Sequence, residues 1–192
     1  MGMEVGGIEP SEPQPETEEA IRQRFVEELR QGYAGRALAL KEEHNFPQEF
    51  LESPEVQEAA ERGLARLVHD LHGGGGEMWA PVGMMKDFVT SKEKVVEIAE
   101  AEVLSSLRND FMDLQKLRVV LGEEIIGAVK KSPQVQEAVK QALVRSIDRG
   151  LGYSDFFIME ALREFDWSMG DIARFKKKAK GGLWLSWLKG KK

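Results

Sequence analysis

His69 and His72 lie one helical turn apart and are the histidines best placed to share a metal ion. Two histidines one turn apart can supply two ligands to zinc, but a zinc site needs three or four. The apolar pattern assigns Val68 and Leu71 to a buried stripe and leaves both histidines towards solvent. Histidine near a helix C-terminus also interacts favourably with the helix dipole without any metal. We therefore expect a structural role and no metal site.

The paired carboxylates at Glu42-Glu43 and Glu123-Glu124 are the candidate groups for general acid–base catalysis. They lie among lysines and other glutamates, where no apolar pocket would raise a carboxyl pKa. The chain also lacks the G-x-S-x-G and H-E-x-x-H motifs and has no cysteine nucleophile. We therefore expect solvated acidic pairs, no enzyme activity, no cofactor and no small-molecule substrate.

Four consecutive glycines at residues 73–76 precede a segment rich in methionine. They do not form a phosphate loop, because Glu77 follows where a Gly-Lys-Ser/Thr sequence would have to stand. They indicate a linker or an insertion within a repeat, and such insertions collect on one face. Flexible, polarisable side chains suit an adaptable contact surface, although the same side chains could pack beneath the loop as core. The predicted contact residues are Met78, Trp79, Met84 and Met85.

The C-terminal stretch combines lysines with tryptophans. From Arg174 onwards there are eight basic and no acidic residues, so the overall charge of −6 leaves −14 for residues 1–173. Such asymmetry is typical of an interaction tail. Three interpretations stay open: packing on the fold or docking a protein, binding anionic membrane, and binding RNA or DNA phosphates with tryptophan stacking. The predicted contact residues are Lys176, Lys177, Lys178, Lys180, Trp184, Trp187 and Lys189.

Two nearly identical phrases, SPEVQEA at residues 53–59 and SPQVQEA at residues 132–138, occur in different parts of the chain. Apolar or small residues follow each serine at the spacing of one helical stripe. After Ser53 the stripe is Val56, Ala59, Ala60, Gly63, Leu64, Leu67 and Val68. The same spacing follows Ser91 and, earlier, includes Ala20, Ile21, Phe25 and Leu29. The last stripe positions are Leu29, Val68, Leu107 and Ile147, at intervals of 39, 39 and 40 residues.

Helix boundaries follow from the residues around these stripes. Ser53 and Ser132 are predicted N-caps, each followed by proline at the first helical position. Thr90, with Glu93 three residues later, is predicted to form a capping box for the middle helix. Each unit also has a second helical segment, at residues 36–44, 113–129 and 155–165. The segment between residues 73 and 90 contains the glycines and Pro81, so its helix should be short or displaced.

The repeat resembles tandem α-helical hairpin proteins of the tetratricopeptide, pentatricopeptide and HEAT kind over residues 17–165. The tetratricopeptide Trp, Leu-Gly and Tyr pattern is absent, and so is its period of about 34 residues. The resemblance implies a binding scaffold and no particular functional residue. The predicted fold is all-α: a short right-handed α-solenoid of about four helical hairpins with a period of about 39 residues. Its predicted units are residues 17–52, 53–90, 91–131 and 132–165.

The two ends of the chain are expected to differ from the repeat domain. Residues 1–16 are acidic and rich in proline, which predicts a disordered head. Residues 166–192 are expected to form a basic capping helix and a tail rich in tryptophan and lysine. No secretory signal and no run of about 18 apolar residues is visible, and there is no cysteine. We therefore expect an intracellular protein of a reducing compartment, the cytoplasm.

The sequence predicts a non-catalytic protein-interaction scaffold or accessory subunit within a larger assembly. Partner proteins would dock on a helical-repeat face and on the cationic tail. The alternatives use the same tail: a nucleic-acid-associated protein that binds RNA or a ribonucleoprotein, or a peripheral membrane protein.

Overall fold

The computed structural model describes residues 16–71, 79–108, 114–149 and 163–165, and no strand occurs in these ranges. The predicted all-α class is therefore confirmed for this part of the chain. The helices are α1 (Glu18–Arg30), α2 (Ala34–His44), α3 (Gln48–Leu51), α4 (Pro54–Asp70), α5 (Trp79–Lys86), α6 (Lys92–Arg108), α7 (Leu114–Leu121), α8 (Glu123–Lys131) and α9 (Pro133–Arg149).

The longer helices form two layers. Helices α1, α4, α6 and α9 each pack against the next in chain order, and we call them the first layer. Helices α2, α5 and α7 also pack against one another in chain order and form the second layer. Helix α8 contacts α6, α7 and α9, and the short α3 contacts α4. One continuous hydrophobic core joins the layers and extends from Phe25 to Phe165.

The predicted apolar stripes explain why the first layer packs as it does. All seven stripe residues of α4 are buried, from Val56 to Val68. Burying a leucine or phenylalanine side chain contributes about 1.5–3 kcal/mol, so each stripe outweighs the local preferences of its helix. The stripe prediction is wrong at Ala20, which is exposed in the first turn of α1. Helix α1 begins the layer and has a first-layer neighbour, α4, on one side only.

Both serines of the repeated phrase cap their helices. Ser53 Oγ accepts the backbone N–H of Val56 at 3.5 Å, and Ser132 Oγ accepts that of Val135 at the same distance. These contacts confirm the predicted N-caps.

The predicted capping box at Thr90 is wrong. The cap of α6 is Ser91, whose Oγ accepts the backbone N–H of Lys94 at 3.2 Å. Thr90 instead donates both its backbone N–H and its hydroxyl to Gln57 Oε1, each at 2.9 Å. A side chain from α4 thus holds Thr90, which leaves Ser91 to begin the helix.

The glutamine that both copies of the phrase share also has matching contacts. Gln57 Nε2 donates to the carbonyl of Leu51 at 2.8 Å, and Gln136 Nε2 donates to that of Lys130 at 2.8 Å. Each carbonyl lies six residues before its glutamine. The glutamine therefore fastens the start of its helix to the end of the preceding segment.

Two arginines further along these helices, Arg66 and Arg145, occupy equivalent positions after Ser53 and Ser132. Arg66 Nη1 donates to Gln31 Oε1 at 2.8 Å, and Arg145 Nη2 donates to the carbonyl of Leu107 at 2.7 Å. Both acceptors lie at the C-terminal end of the preceding first-layer helix. The sequence pattern missed the arginines and glutamines because they lie outside the apolar stripe.

The second helical segments agree only partly with expectation. Helix α2 matches the segment predicted at 36–44, and α5 is short at 8 residues. The single helix predicted at 113–129 is wrong, because Gly122 adopts φ +94° and separates α7 from α8. Glycine tolerates that backbone region, and the helix axis changes direction there. Residues 1–15, 150–162 and 166–192 lie outside the described residues, so the predicted head, most of segment 155–165 and the capping helix are not described.

Candidate docking surface

The exterior of the first layer is charged, and several of its charges are paired along the helices. Pairs three or four residues apart occur on each of its four helices: Arg22–Glu18, Arg30–Glu27, Arg62–Glu58, Lys94–Glu97 and Lys140–Glu137. Exposed pairs of this kind contribute little stability and keep a helix face hydrated. This exterior has the character of a solvent-facing surface.

The exterior of the second layer is apolar along α5, whereas α2 also exposes Arg36, Glu42 and Glu43. Helix α5 has the sequence WAPVGMMK, with a single charged residue at its last position. A helix that is apolar all round is normally buried on every side. In α5, however, Trp79 is 42% exposed and Met84 40% exposed, and on the neighbouring α7 Val119 is 52% exposed. We call the exposed apolar and small residues of α2, α5 and α7 the second-layer face: Gly35, Ala39, Trp79, Ala80, Met84 and Val119.

Helical geometry places three of these side chains in the same register. Met84 lies between the buried residues Val82 and Met85, and it therefore projects away from the core. Val119 stands in the same relation to its helix, with buried leucine two residues before it and buried valine one residue after it. Ala39 occupies the corresponding position in α2, between buried Ala37 and Leu40. The face is therefore built from equivalent positions of three adjacent helices.

Acidic side chains border the second-layer face. Glu42 at the end of α2 and Asp87 just after α5 are both exposed. Neither side chain makes a hydrogen bond or ion pair within the described residues. Carboxylates placed in this way beside an apolar surface are suited to cations on a ligand that covers it.

An open pocket of about 510 Å³ lies at one end of the face, between the α1–α2 connection, the C-terminal part of α4 and Pro81 of α5. Tyr33 and Pro81 line it, and Tyr33 is 49% exposed. The Arg36 guanidinium stands 4.9 Å from the Tyr33 ring centroid, a cation–π arrangement that holds the ring in place. The pocket therefore adds an aromatic side chain and a cation to the edge of the face.

The predicted loop residues separate into different environments. Trp79 and Met84 lie on the second-layer face. Met85 is 0% exposed and packs close to Gly63 of α4, so its prediction as a contact residue is corrected: it belongs to the core. Met78 lies outside the described residues, as do all seven predicted tail residues from Lys176 to Lys189. Val119 was missed, although two adjacent valines at 119–120 already imply that one of them faces outward.

His69 is the only candidate metal ligand of the predicted pair that the structure describes. Its side chain is 70% exposed, as expected, and Nδ1 lies 3.0 Å from Glu102 Oε2 on α6. Ser106 Oγ donates to the other oxygen of Glu102 at 3.1 Å. The carboxylate thus stands between the serine and the imidazole, so His69 cannot take the serine proton as a catalytic base would. No group of three or more potential metal ligands occurs within the described ranges.

The predicted acidic pairs, Glu42-Glu43 and Glu123-Glu124, are all exposed, which confirms the solvated interpretation. A more buried carboxylate, Glu164, binds Arg118 of α7 through two contacts, Nη2–Oε2 at 2.5 Å and Nη1–Oε1 at 3.4 Å. These hydrogen bonds from Arg118 hold the pKa of Glu164 below its usual range, with Lys130 contributing. They raise the pKa of Arg118 in turn. The pair fastens residues 163–165 beside the second layer.

The described helices thus define an all-α protein with two helical layers, the first charged outside and the second apolar outside along α5. The chain matches no model of a known protein family, no curated protein and no solved structure. Within the described ranges no helix combines the length and the apolar character needed to cross a membrane.

Proposed function

We propose that this chain is a non-catalytic interaction protein that docks a partner protein on the second-layer face. The observation that carries the proposal is the contrast between the two exteriors. Charged side chains are paired on the first layer, whereas Trp79, Met84 and Val119 are exposed on the second. Contiguous exposed apolar residues rimmed by polar ones mark interaction surfaces on soluble proteins.

The architecture that supports this face is a short right-handed α-solenoid of about four hairpins, with a period of about 39 residues. Two features support that interpretation. Helices of each layer pack in chain order, as stacked hairpins do. The helices that begin with the two copies of the phrase also make equivalent hydrogen bonds, through Gln57 and Gln136 and through Arg66 and Arg145. Such arrays present extended surfaces to protein ligands.

The residue types on and beside the face favour a protein partner. Tryptophan, tyrosine and arginine carry a large share of the binding energy at protein interfaces, and Trp79, Tyr33 and Arg36 are exposed here. The exposed residues of α5 and α7 include no cation, and Glu42 and Asp87 stand at the edge. Nucleic-acid binding needs clustered basic residues instead.

A matched pair of double variants tests the docking proposal. Met84→Lys with Val119→Lys places charges on the second-layer face, and Gln23→Lys with Gln134→Lys places the same charges on exposed first-layer positions. A photo-crosslinking residue at Ala80 reports which proteins contact α5. We expect the yield of proteins crosslinked from position 80 to fall at least tenfold in the Met84→Lys/Val119→Lys variant. The yield should be unchanged in the control variant. Equal crosslinking in both variants would contradict the proposal.

The cationic tail is proposed as a second contact, through the lysines and tryptophans between Lys176 and Lys189. Comparing the full chain with a truncation after Arg174 separates the rival functions. Salt-sensitive RNA binding that truncation abolishes would favour a nucleic-acid-associated protein. Binding to anionic liposomes that needs Trp184 and Trp187 would favour a peripheral membrane protein. We expect neither, and we expect protein capture to survive the truncation.

A further inference from the structure

We infer that the open pocket between the α1–α2 connection, α4 and α5 is a binding site for a small organic acid, a single carboxylate on an apolar body. Its volume of about 510 Å³ lies within the range of about 300–1,000 Å³ that is typical of small-ligand sites. Binding is assigned here, and no reaction. The inference goes beyond the proposed function and does not rest on it, because the charges and walls of the pocket alone support it.

Two guanidinium groups line this pocket, from Arg36 of α2 and Arg66 of α4. Arg66 differs from the other arginines of α1 and α4, because its hydrogen bond is to a neutral amide oxygen, Gln31 Oε1, at 2.8 Å. The others each lie 2.5–2.9 Å from a carboxylate oxygen: Arg22, Arg24, Arg30 and Arg62. Within the described ranges no carboxylate pairs with Arg66, so its positive charge is available to an anion in the pocket.

Neutral neighbours hold both guanidinium groups in place. Gln31 Nε2 donates to a carboxylate of α1 at 2.6 Å, which directs Gln31 Oε1 to Arg66 Nη1. The Nη2 and Nε donors of Arg66 have no partner in the described part of the chain. Arg36 stands 4.9 Å from the Tyr33 ring centroid, and its Nη1 lies 3.8 Å from Glu28 Oε1, beyond hydrogen-bond length. Each group thus keeps donors for a carboxylate, which matches the arginine fork through two parallel hydrogen bonds.

The rest of the lining determines the charge and shape of the ligand. Asp70 also lines the pocket, and it makes no hydrogen bond or ion pair within the described ranges. Two cations and one anion leave an excess of one positive charge, which suits a monoanion better than a phosphate dianion. Tyr33, Leu67 and Pro81 provide apolar walls. An apolar group can therefore pack on these walls while its carboxylate meets the arginines.

A titration with monocarboxylates of different shape tests the site. The probes are 3-phenylpropionate, indole-3-acetate and hexanoate, and the primary amide of each is its neutral control. The full chain is labelled with ¹⁵N, and the Nε–Hε resonances of Arg36 and Arg66 are followed by NMR. We expect at least one acid to shift both resonances with a Kd below about 10 mM, and its amide to shift them at least tenfold less. Absence of saturation by all three acids at about 50 mM, or equal shifts with acid and amide, would overturn the inference.

Substitutions assign the contacts to particular side chains. Arg66→Gln and Arg36→Gln should each weaken acid binding at least fivefold, measured on the remaining arginine, because each removes one guanidinium. Arg62→Gln is the matched control on α4, since Arg62 pairs with Glu58 outside the pocket and its loss should leave the Kd unchanged. Asp70→Asn should strengthen binding at least twofold by removing a like charge. Weaker binding in the Asp70→Asn variant would contradict a monoanionic ligand.

The acid site and the docking face are tested separately. If no acid saturates the pocket while Arg66→Gln lowers the yield of partner crosslinked from position 80, the small-ligand site is wrong and the arginine serves the docking face. If an acid saturates the pocket but that yield is indifferent to Met84→Lys with Val119→Lys, the docking function is wrong and the acid site stands.

Discussion

At the residue scale, the side chain of Gln57 connects two separate segments of the chain by hydrogen bonds. It donates to the carbonyls of Leu51 and Phe88, at 2.8 and 3.1 Å, and accepts both donors of Thr90. The start of the second predicted unit is thereby joined both to the segment before it and to the unit's own last residues. Apolar periodicity cannot assign such a role, since the glutamine lies beside the buried stripe rather than on it.

Replacing Gln57 with alanine should destabilise the protein by about 1–3 kcal/mol, because it leaves partly buried backbone groups without partners. Gln136→Ala is the matched control, since Gln136 makes one side-chain bond of this kind, to Lys130. We expect its effect on the free energy of unfolding, measured by urea denaturation, to be less than half as large. Equal losses would mean that the contacts to Phe88 and Thr90 contribute nothing.

The sequence does not distinguish the roles of some adjacent residues at this scale. Composition drew attention to Met84 and Met85 together, but the helix places one outward and the other in the core. Which of the two methionines faces the core depends on the residue at which α5 begins. The glycines before α5 prevent the sequence pattern from predicting that residue. Thr90 and Ser91 present the same difficulty, because a contact from another helix decides which residue caps.

At the element scale, α4 packs closely against α1 at Gly63. A Cβ added at Gly63 would lie 2.0 Å from the carbonyl oxygen of Leu29. The predicted stripe identified Gly63 as buried, because burial follows from a period of 3.6 residues. It did not reveal how near the neighbouring backbone comes, since that distance is set by contacts between segments far apart in sequence.

Gly63→Ala should therefore cost at least about 2–3 kcal/mol, because the added methyl group forces two helices apart. Gly127→Ala in α8 is the matched control, since nothing lies within 4 Å of a Cβ placed there. It should be neutral or stabilising by about 0.5–1 kcal/mol through helix propensity alone. Thermal denaturation of both variants measures the difference, and a Gly63 variant as stable as the control would show that α1 moves aside freely.

Gly122 accounts for the element that the sequence pattern predicted incorrectly. Apolar residues continue at helical spacing through 114–129, so the pattern indicates a single helix. The positive φ at Gly122 ends α7, and α8 turns to contact α6 and α9. The pattern could not reveal this break, because glycine inside a helical stripe is also compatible with an uninterrupted helix.

The molecule as a whole is held together by contacts between residues far apart in sequence. Arg118 and Glu164 are 46 residues apart, and Glu164 has a side chain only 10% exposed. The existence of helices and their buried stripes could be predicted, because both depend on local spacing. The two layers and the second-layer face could not be predicted, because they depend on which helices pack their apolar stripes against each other.

The lowered pKa of Glu164 predicts how stability changes with pH. Its carboxylate stabilises the fold fully above the unfolded pKa of about 4.3, and that contribution is lost as pH falls through the lower folded pKa. Glu164→Gln should therefore reduce the free energy of unfolding by about 1–3 kcal/mol at pH 7. The difference from the wild-type protein should shrink steadily below about pH 4.

Urea denaturation at pH 7 and pH 3 measures this effect. Glu97→Gln is the control, because Glu97 forms an exposed ion pair with Lys94 and should leave stability unchanged. A deficit for the Glu164 variant that persisted undiminished at pH 3 would exclude an ionic origin.

The close approach at Gly63 also distinguishes α4 from α9, the two helices that begin with the shared phrase. Its counterpart in the helix that follows the second copy of the phrase is Ala142, which is fully buried in the core. The first-layer packing around α9 therefore admits a methyl group that the space between α1 and α4 excludes. Transplanting residues 132–149 into the place of residues 53–70 would drive that methyl group into the Leu29 carbonyl. The two helices that begin with the shared phrase are therefore not interchangeable at this position.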